Sequence, residues 1–201
     1  MSSQGYTLND KNLTKITNFP TPKTQKSVKQ FLATCSYFRT LIPNFASTAY
    51  PLINLTKKNK KFTWSTEEQE AFSKLKIAIT SAPILKGADF NKKFYIICDG
   101  SKIGIGSILL QEHSGTLHPI VYYSRKLKDA ETRYPSIKIE LLALHDSVKT
   151  FSTFLVGNEF TILTDCKALV YNLNLNNQPD IVARWILYLQ NFKFNIFSFN
   201  S

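Results

Sequence analysis

The spacing of apolar residues changes character part-way along the chain. In the first 85 or so residues apolar positions recur at helical intervals. After an extended stretch at 18–24, Thr24 can cap a helix in which Val28, Phe31, Leu32, Cys35 and Phe38 share one face, with Lys26 and Lys29 on another. Pro43 limits that helix. A second helix begins at Ser65, which forms a capping-box pattern with Glu68, and runs through Ala71, Phe72, Leu75 and Ile79 until Pro83 stops it. This part reads as a small helical unit.

From Phe94 the runs shorten and become rich in β-formers: "FYIIC", "GSILL" and "PIVYYS", separated by the turn sequences "DGS" and "SGT". A helical stretch at 136–155 follows, ended by Gly157. Then come a strand, "FTILTD", a short helical segment, "KALVYNL", a helix, "IVARWILYLQNF", and a last strand, "FNIFSF". Strands joined by hairpins are antiparallel, and a strand returned by a long helix is usually parallel. The order therefore predicts an α/β fold with a mixed sheet and flanking helices over 93–201. A compositional shift at 86–92 marks the boundary with the helical unit at 1–85.

Composition narrows the classes. With 43% hydrophobic residues in 201, the chain can bury a real core, which excludes a disordered tail. A formal net charge of +11 favours polyanionic partners. The densest basic run, Lys57, Lys58, Lys60 and Lys61, reads either as a solvated loop or as a phosphate contact. Cys35, Cys98 and Cys166 are dispersed and odd in number, so neither a disulfide framework nor a zinc site is expected, and a reducing intracellular setting, cytoplasmic or nuclear, fits. His113, His118 and His145 have no ligand spacing. No signal peptide and no membrane-spanning run is expected. Trp64, Trp185 and the aromatic tail "FKFNIFSF" read as core.

Three carboxylates stand where solvated residues are not expected. Asp99 and Asp165 each end a strand that is apolar on both faces, where ligand chemistry of α/β sheets gathers. Taken singly, each is explained as a turn former. Glu140 lies on the edge of a helical stripe formed by Ile137, Leu141, Leu144, Val148 and Phe151, which brings it towards the sheet. Carboxylates gathered in one crevice raise each other's pKa unless a hard divalent cation neutralises them. Mg²⁺ suits oxygen ligands, and a pair of such ions supports phosphodiester hydrolysis. On a basic chain this points to a nuclease.

The words "FPTPKT", "FLATCSYFRTLIPNFASTAYPL", "CDGSKIGIGSILLQ", "HPIVYYSRKL", "RYPSIKIELLAL" and "FLVGNEFTILTDCKAL" occur in the order in which they occur in one family. The chain resembles the C-terminal part of a gypsy-type LTR retrotransposon reverse transcriptase, from the end of the palm through the thumb-like region into the RNase H domain. That resemblance implies an RNase H-like five-stranded sheet preceded by a thumb-like helical unit. It also implies Mg²⁺-dependent cleavage, with Mn²⁺ as a substitute, of the RNA strand of an RNA/DNA hybrid. It carries the metal-binding and catalytic roles onto Asp99 in "CDGS", Glu140 in "IELLA" and Asp165 in "TDCKA". A fourth carboxylate and a helix covering part of the sheet are expected in a segment after "FNIFSF", past Ser201, and Asp180 falls too early to substitute. Weak activity is the expectation for these residues alone, with a protein partner or self-association covering the open sheet. The alternative is a non-catalytic nucleic-acid-binding module. The family usually has Ala at Gly100, His at Cys166 and a basic residue near Ser152. No Tyr-x-Asp-Asp motif occurs, so polymerase chemistry is not expected from this segment.

Overall fold

The computed structural model describes residues 10–81, 85, 87–171 and 180–198. Pro83, the end of "KALVYNL", Lys86 of the boundary segment and Phe199 of the last predicted strand lie outside them. Among the described residues the helical unit contains four α-helices: α1 (Asp10–Thr17), α2 (Gln25–Ser36), α3 (Phe45–Leu55) and α4 (Thr66–Thr80). Both expected caps are present. The Thr24 side chain accepts from the Ser27 amide at 3.1 Å, and Glu68 reaches back to the Ser65 amide at 2.9 Å, so orphan amides at each helix start are satisfied. Val28, Phe31, Cys35, Phe38, Leu52, Leu55, Ala71, Phe72, Leu75 and Ile79 form one apolar cluster.

α3 was not expected from the spacing. Pro51 sits inside it and removes one helical hydrogen bond. The burial of Phe45, Ala46, Ala49, Leu52 and Leu55 offsets that loss, since each large side chain removed from water contributes about 1.5–3 kcal/mol.

The second part is the mixed sheet. Its strands are β1 (Phe94–Gly100), β2 (Gly104–His113), β3 (Thr116–Lys126), β4 (Phe160–Thr164) and β5 (Phe194–Ser198), in the order β3-β2-β1-β4-β5. β1 pairs antiparallel with β2 and parallel with β4, which also pairs parallel with β5. The β2–β3 turn places Ser114 and Gly115 at φ of 53° and 78°, the conformation that two-residue hairpins require. Pro119 sits opposite Leu110, where the register shifts, a place in the ladder that tolerates a missing donor.

The helices α5 (Ser136–Thr150), α6 (Ser152–Leu155), α7 (Lys167–Tyr171) and α8 (Asp180–Leu189) complete this part. α5 and α8 pack with Phe94, Ile96, Cys98, Leu109, Phe160 and Ile162 in a second apolar cluster. The predicted 136–155 helix is therefore two helices, divided at Phe151. The predicted stripe is also corrected: Ile137 is 42% exposed, while Ile139, Glu140, Leu142 and Ala143 are buried with Leu141, Leu144 and Val148. α5 lies between the sheet and α8, so it buries two flanks, and Glu140 sits inside the covered surface rather than on its edge.

The connection into β1 is held by Gln111, which is fully buried. Its amide oxygen accepts from the Asp89 backbone at 2.9 Å, and its nitrogen donates to the carbonyls of Asp89 at 2.7 Å and Lys92 at 3.2 Å. A buried amide with partners on both its atoms fixes the segment it binds.

Candidate metal centre

Three elements deliver one carboxylate each. Asp99 is the penultimate residue of β1, beside β4, so its position is set by the pairing of Ile97 with Leu163 at the end of the parallel ladder. Asp165 follows β4 directly, in a turn closed by the Thr164 hydroxyl, which accepts from the Cys166 amide at 3.1 Å. Glu140 comes from the first half of α5, and its Oε2 accepts from the Gly100 amide at 3.2 Å. One oxygen of each of Asp99, Glu140 and Asp165 lies within 4.8 Å of the other two, the only such group of three metal-ligating side chains among the described residues.

Gly100 is what lets α5 come this close. A Cβ there would lie 2.8 Å from Ile139 Cγ2 and 3.0 Å from the Ile139 carbonyl oxygen. The first can rotate away, whereas the second is backbone. The glycine is thus matched to the helix–strand distance in this chain. On the next turn the Ser101 hydroxyl accepts from the amides of Ile103 at 3.3 Å and Gly104 at 3.2 Å, which fixes the hairpin beyond the cluster.

Glu140 is pushed up to about 7, first by burial and then by the charges of Asp99 and Asp165, with the Gly100 amide opposing. Two exposed carboxylates crowd a buried one, and no cationic side chain contributes to its balance. A set of hard oxygen donors with unrelieved mutual repulsion is what a divalent cation relieves. The residues present fit such an ion. The neighbouring Cys98 thiol is buried and held far above its ordinary range, first by burial and then by Glu140, so it is an inert packing residue.

The structure does not bring Lys57, Lys58, Lys60 and Lys61 to this cluster. They are exposed in the turn after α3. His145 is not a ligand here: it stacks on Trp185 at 5.8 Å, and its Nδ1 lies 3.0 Å from Asp146 Oδ1. Trp185 is core, as expected, but Phe197 of the aromatic tail is 54% exposed on edge strand β5. Missed by the sequence reading was Arg125, which reaches Asp146 and Glu131, each at 2.6 Å, and so ties β3 to α5. A lone Arg beside dispersed acids gives no spacing signal.

Residues 64–162 match the family described as the RNase H-like domain found in reverse transcriptase. That stretch carries the RNase H-like domain of that family. Over 201 aligned positions this RNase H-like chain is 33% identical to the Transposon Tf2-3 and Tf2-4 polyproteins of Schizosaccharomyces pombe, an alignment that takes in 98% of this chain and 15% of each relative. It thus spans a small part of the transposon polyproteins it matches. Among solved structures it is similar to a foamy viral protease-reverse transcriptase in complex with double-stranded DNA, with a TM-score of 0.79 at 19% identity over 98% of this chain and 36% of that one. It is similar too to the same viral protein in complex with an RNA/DNA hybrid, with a TM-score of 0.76 at 19% identity over 97% of this chain and 27% of that one. At such identity the likeness is one of fold. It extends over both the helical unit and the sheet.

Proposed function

We propose that this chain is the thumb-like and RNase H-like segment of a retrotransposon polyprotein, dividing near 86–92, whose sheet part hydrolyses the RNA strand of an RNA/DNA hybrid. The observation that carries this reading is the convergence of Asp99, Glu140 and Asp165 within 4.8 Å in a sheet of this topology. Mg²⁺ is the cation proposed, because all the donors are carboxylate oxygens and the ion keeps waters for chemistry. When bound, it would activate a water and stabilise the leaving oxygen of the phosphodiester. Asp99, Glu140 and Asp165 would hold it, and the Gly100 amide would keep one Glu140 oxygen oriented as it does so. Three carboxylates converge among the described residues, and the resemblance calls for a fourth past Ser201. Cleavage by the 201-residue chain alone is therefore expected to be slow.

The test is incubation of the chain with an end-labelled RNA/DNA hybrid in Mg²⁺ or Mn²⁺. Slow, metal-dependent cleavage of the RNA strand is expected, abolished by Asp99→Asn. Cleavage that survives Asp99→Asn, or that needs no divalent cation, would refute the assignment. Salt-dependent binding without any cleavage, even in a chain extended past Ser201, would leave only the non-catalytic binding reading.

A further inference from the structure

Asp99, Gly106 and Ser124 lie opposite one another on β1, β2 and β3. Opposed residues of antiparallel strands share a face of the sheet, so all three belong to the face away from α5. On that face the helical unit docks. A Cβ on Gly106 would lie 2.9 Å from Asn44 Oδ1. The Ser124 hydroxyl accepts from the Ala46 amide at 3.1 Å, and the Ser124 carbonyl accepts from Arg39 Nη2. Two residues further along β3, Lys126 Nζ lies 4.7 Å from the centre of the Tyr50 ring on α3. The seam between the two parts thus runs along the sheet face that carries Asp99.

Distances along the seam follow from sheet geometry. Strands about 4.8 Å apart, with about 3.3 Å per residue along each, put the Lys126 Cα about 12 Å from that of Asp99. On the other side of Tyr50, α3 ends at Leu55 and leads into the lysine turn, which is pinned where the Gln25 side chain donates to the Lys60 carbonyl at 2.6 Å. Lys57 and Lys126 both favour the ionised form of the Tyr50 hydroxyl, behind a hydrogen bond from Asn54, while Glu67 opposes them. Among the described residues Lys74 is ion-paired, with Glu70, but neither Lys57 nor Lys126 is.

We propose that Tyr50, Lys57 and Lys126 form a phosphate-contacting track across this seam, which carries a nucleic-acid strand from the lysine turn to the carboxylate cluster. The track rests on the nuclease reading for its direction. Its stretch from Lys126 to Asp99 covers about three to four nucleotide steps at ~3.4 Å each. Because Ser124 binds the Ala46 amide of α3 and Arg39 in the segment ahead of it, the contact on the helical unit is held in register with the metal ligands. Tyr50 is a positioning residue here: its ring face holds the Lys126 ammonium over the seam.

The experiment is binding of a labelled RNA/DNA hybrid across a salt series in EDTA, in parallel with cleavage in Mn²⁺. Lys57→Gln and Lys126→Gln are each expected to lower the slope of log affinity against log salt by about 0.9, and Lys126→Arg to restore it. Lys149→Gln, at the far end of α5, should leave the slope as in the parent. Tyr50→Leu should weaken binding with little change in slope. Unchanged slopes for both Lys57→Gln and Lys126→Gln in a chain that binds and cleaves would overturn the track and leave the nuclease reading standing. Flattened slopes in a chain that never cleaves would support the track while the hydrolase reading fails. No binding at all would overturn both.

Discussion

Crowding at Glu140 costs the folded protein stability, and that cost can be measured without any substrate. In the unfolded chain this carboxyl titrates near its ordinary 4.5, and in the fold near about 7. The protonated form is therefore favoured by folding. Between those values the native state binds more protons than the unfolded state, so stability falls as pH rises through the window. Below about 4.5 both states are protonated and nothing is lost, whereas above about 7 the full cost is present. At 1.36 kcal/mol per pH unit the difference comes to about 3 kcal/mol. For a chain of this size that is on the order of 6–12 °C in Tm.

The assay is thermal or urea unfolding between pH 4.5 and 8 in EDTA, for the parent and for Glu140→Gln. Gln keeps an oxygen for the Gly100 amide but carries no charge. The parent should lose stability across the window and the variant should not, so the difference between them cancels every other titrating group. Added Mg²⁺ should shrink the parent's loss and leave the variant unmoved. If the parent is flat from pH 5 to 7.5, or if Glu140→Gln falls just as steeply, then Asp99 and Asp165 do not act on a buried Glu140 as the geometry requires.

Gly100→Ala should cost about 1–3 kcal/mol and weaken divalent-cation binding, because the added methyl meets the Ile139 carbonyl as well as its side chain and α5 must move outward. Unfolding and cation titration of one sample check both, and an unchanged cation affinity would show that Glu140 tolerates the shift. Against the effect of their burial, Arg125 holds Glu131 below the usual carboxylate range, and His145 followed by Arg125 does the same for Asp146. Their contribution is present above the unfolded carboxylate pKa and is lost as pH falls below about 4. Arg125→Leu should cost about 2 kcal/mol at pH 7 and shrink that acid limb, which a pH series of unfolding curves would reveal.

How much of this was legible in the sequence depends on the range over which each feature is decided. Strand and helix periods are decided locally, and so the sheet and the capped helices α2 and α4 could be read directly. Asp99 and Asp165 stood out because a charge at the end of an apolar run conflicts with its surroundings. Glu140 was found but placed too near the edge, because a single apolar stripe assumes one covering surface and α5 has two. α3 was hidden by Pro43 and Pro51, whose local cost is overcome only by packing against residues elsewhere in the chain. The seam was beyond reach altogether: the partners of Ser124, Ala46 and Arg39, lie 78 and 85 residues away. Nothing in "YYSRK" marks its serine as the place where a distant helix start finds an acceptor. Gly100 shows the same limit at the site itself. That a glycine stands there is visible in the sequence, but that it is required follows only from the distance to Ile139, and that distance also brings Glu140 to the Gly100 amide. The close helix–strand contact thus sets two things at once, the intolerance of a side chain at position 100 and the crowding that raises the Glu140 pKa. A substitution that loosens the contact should relax both together, and one that changes only charge should relax the second alone.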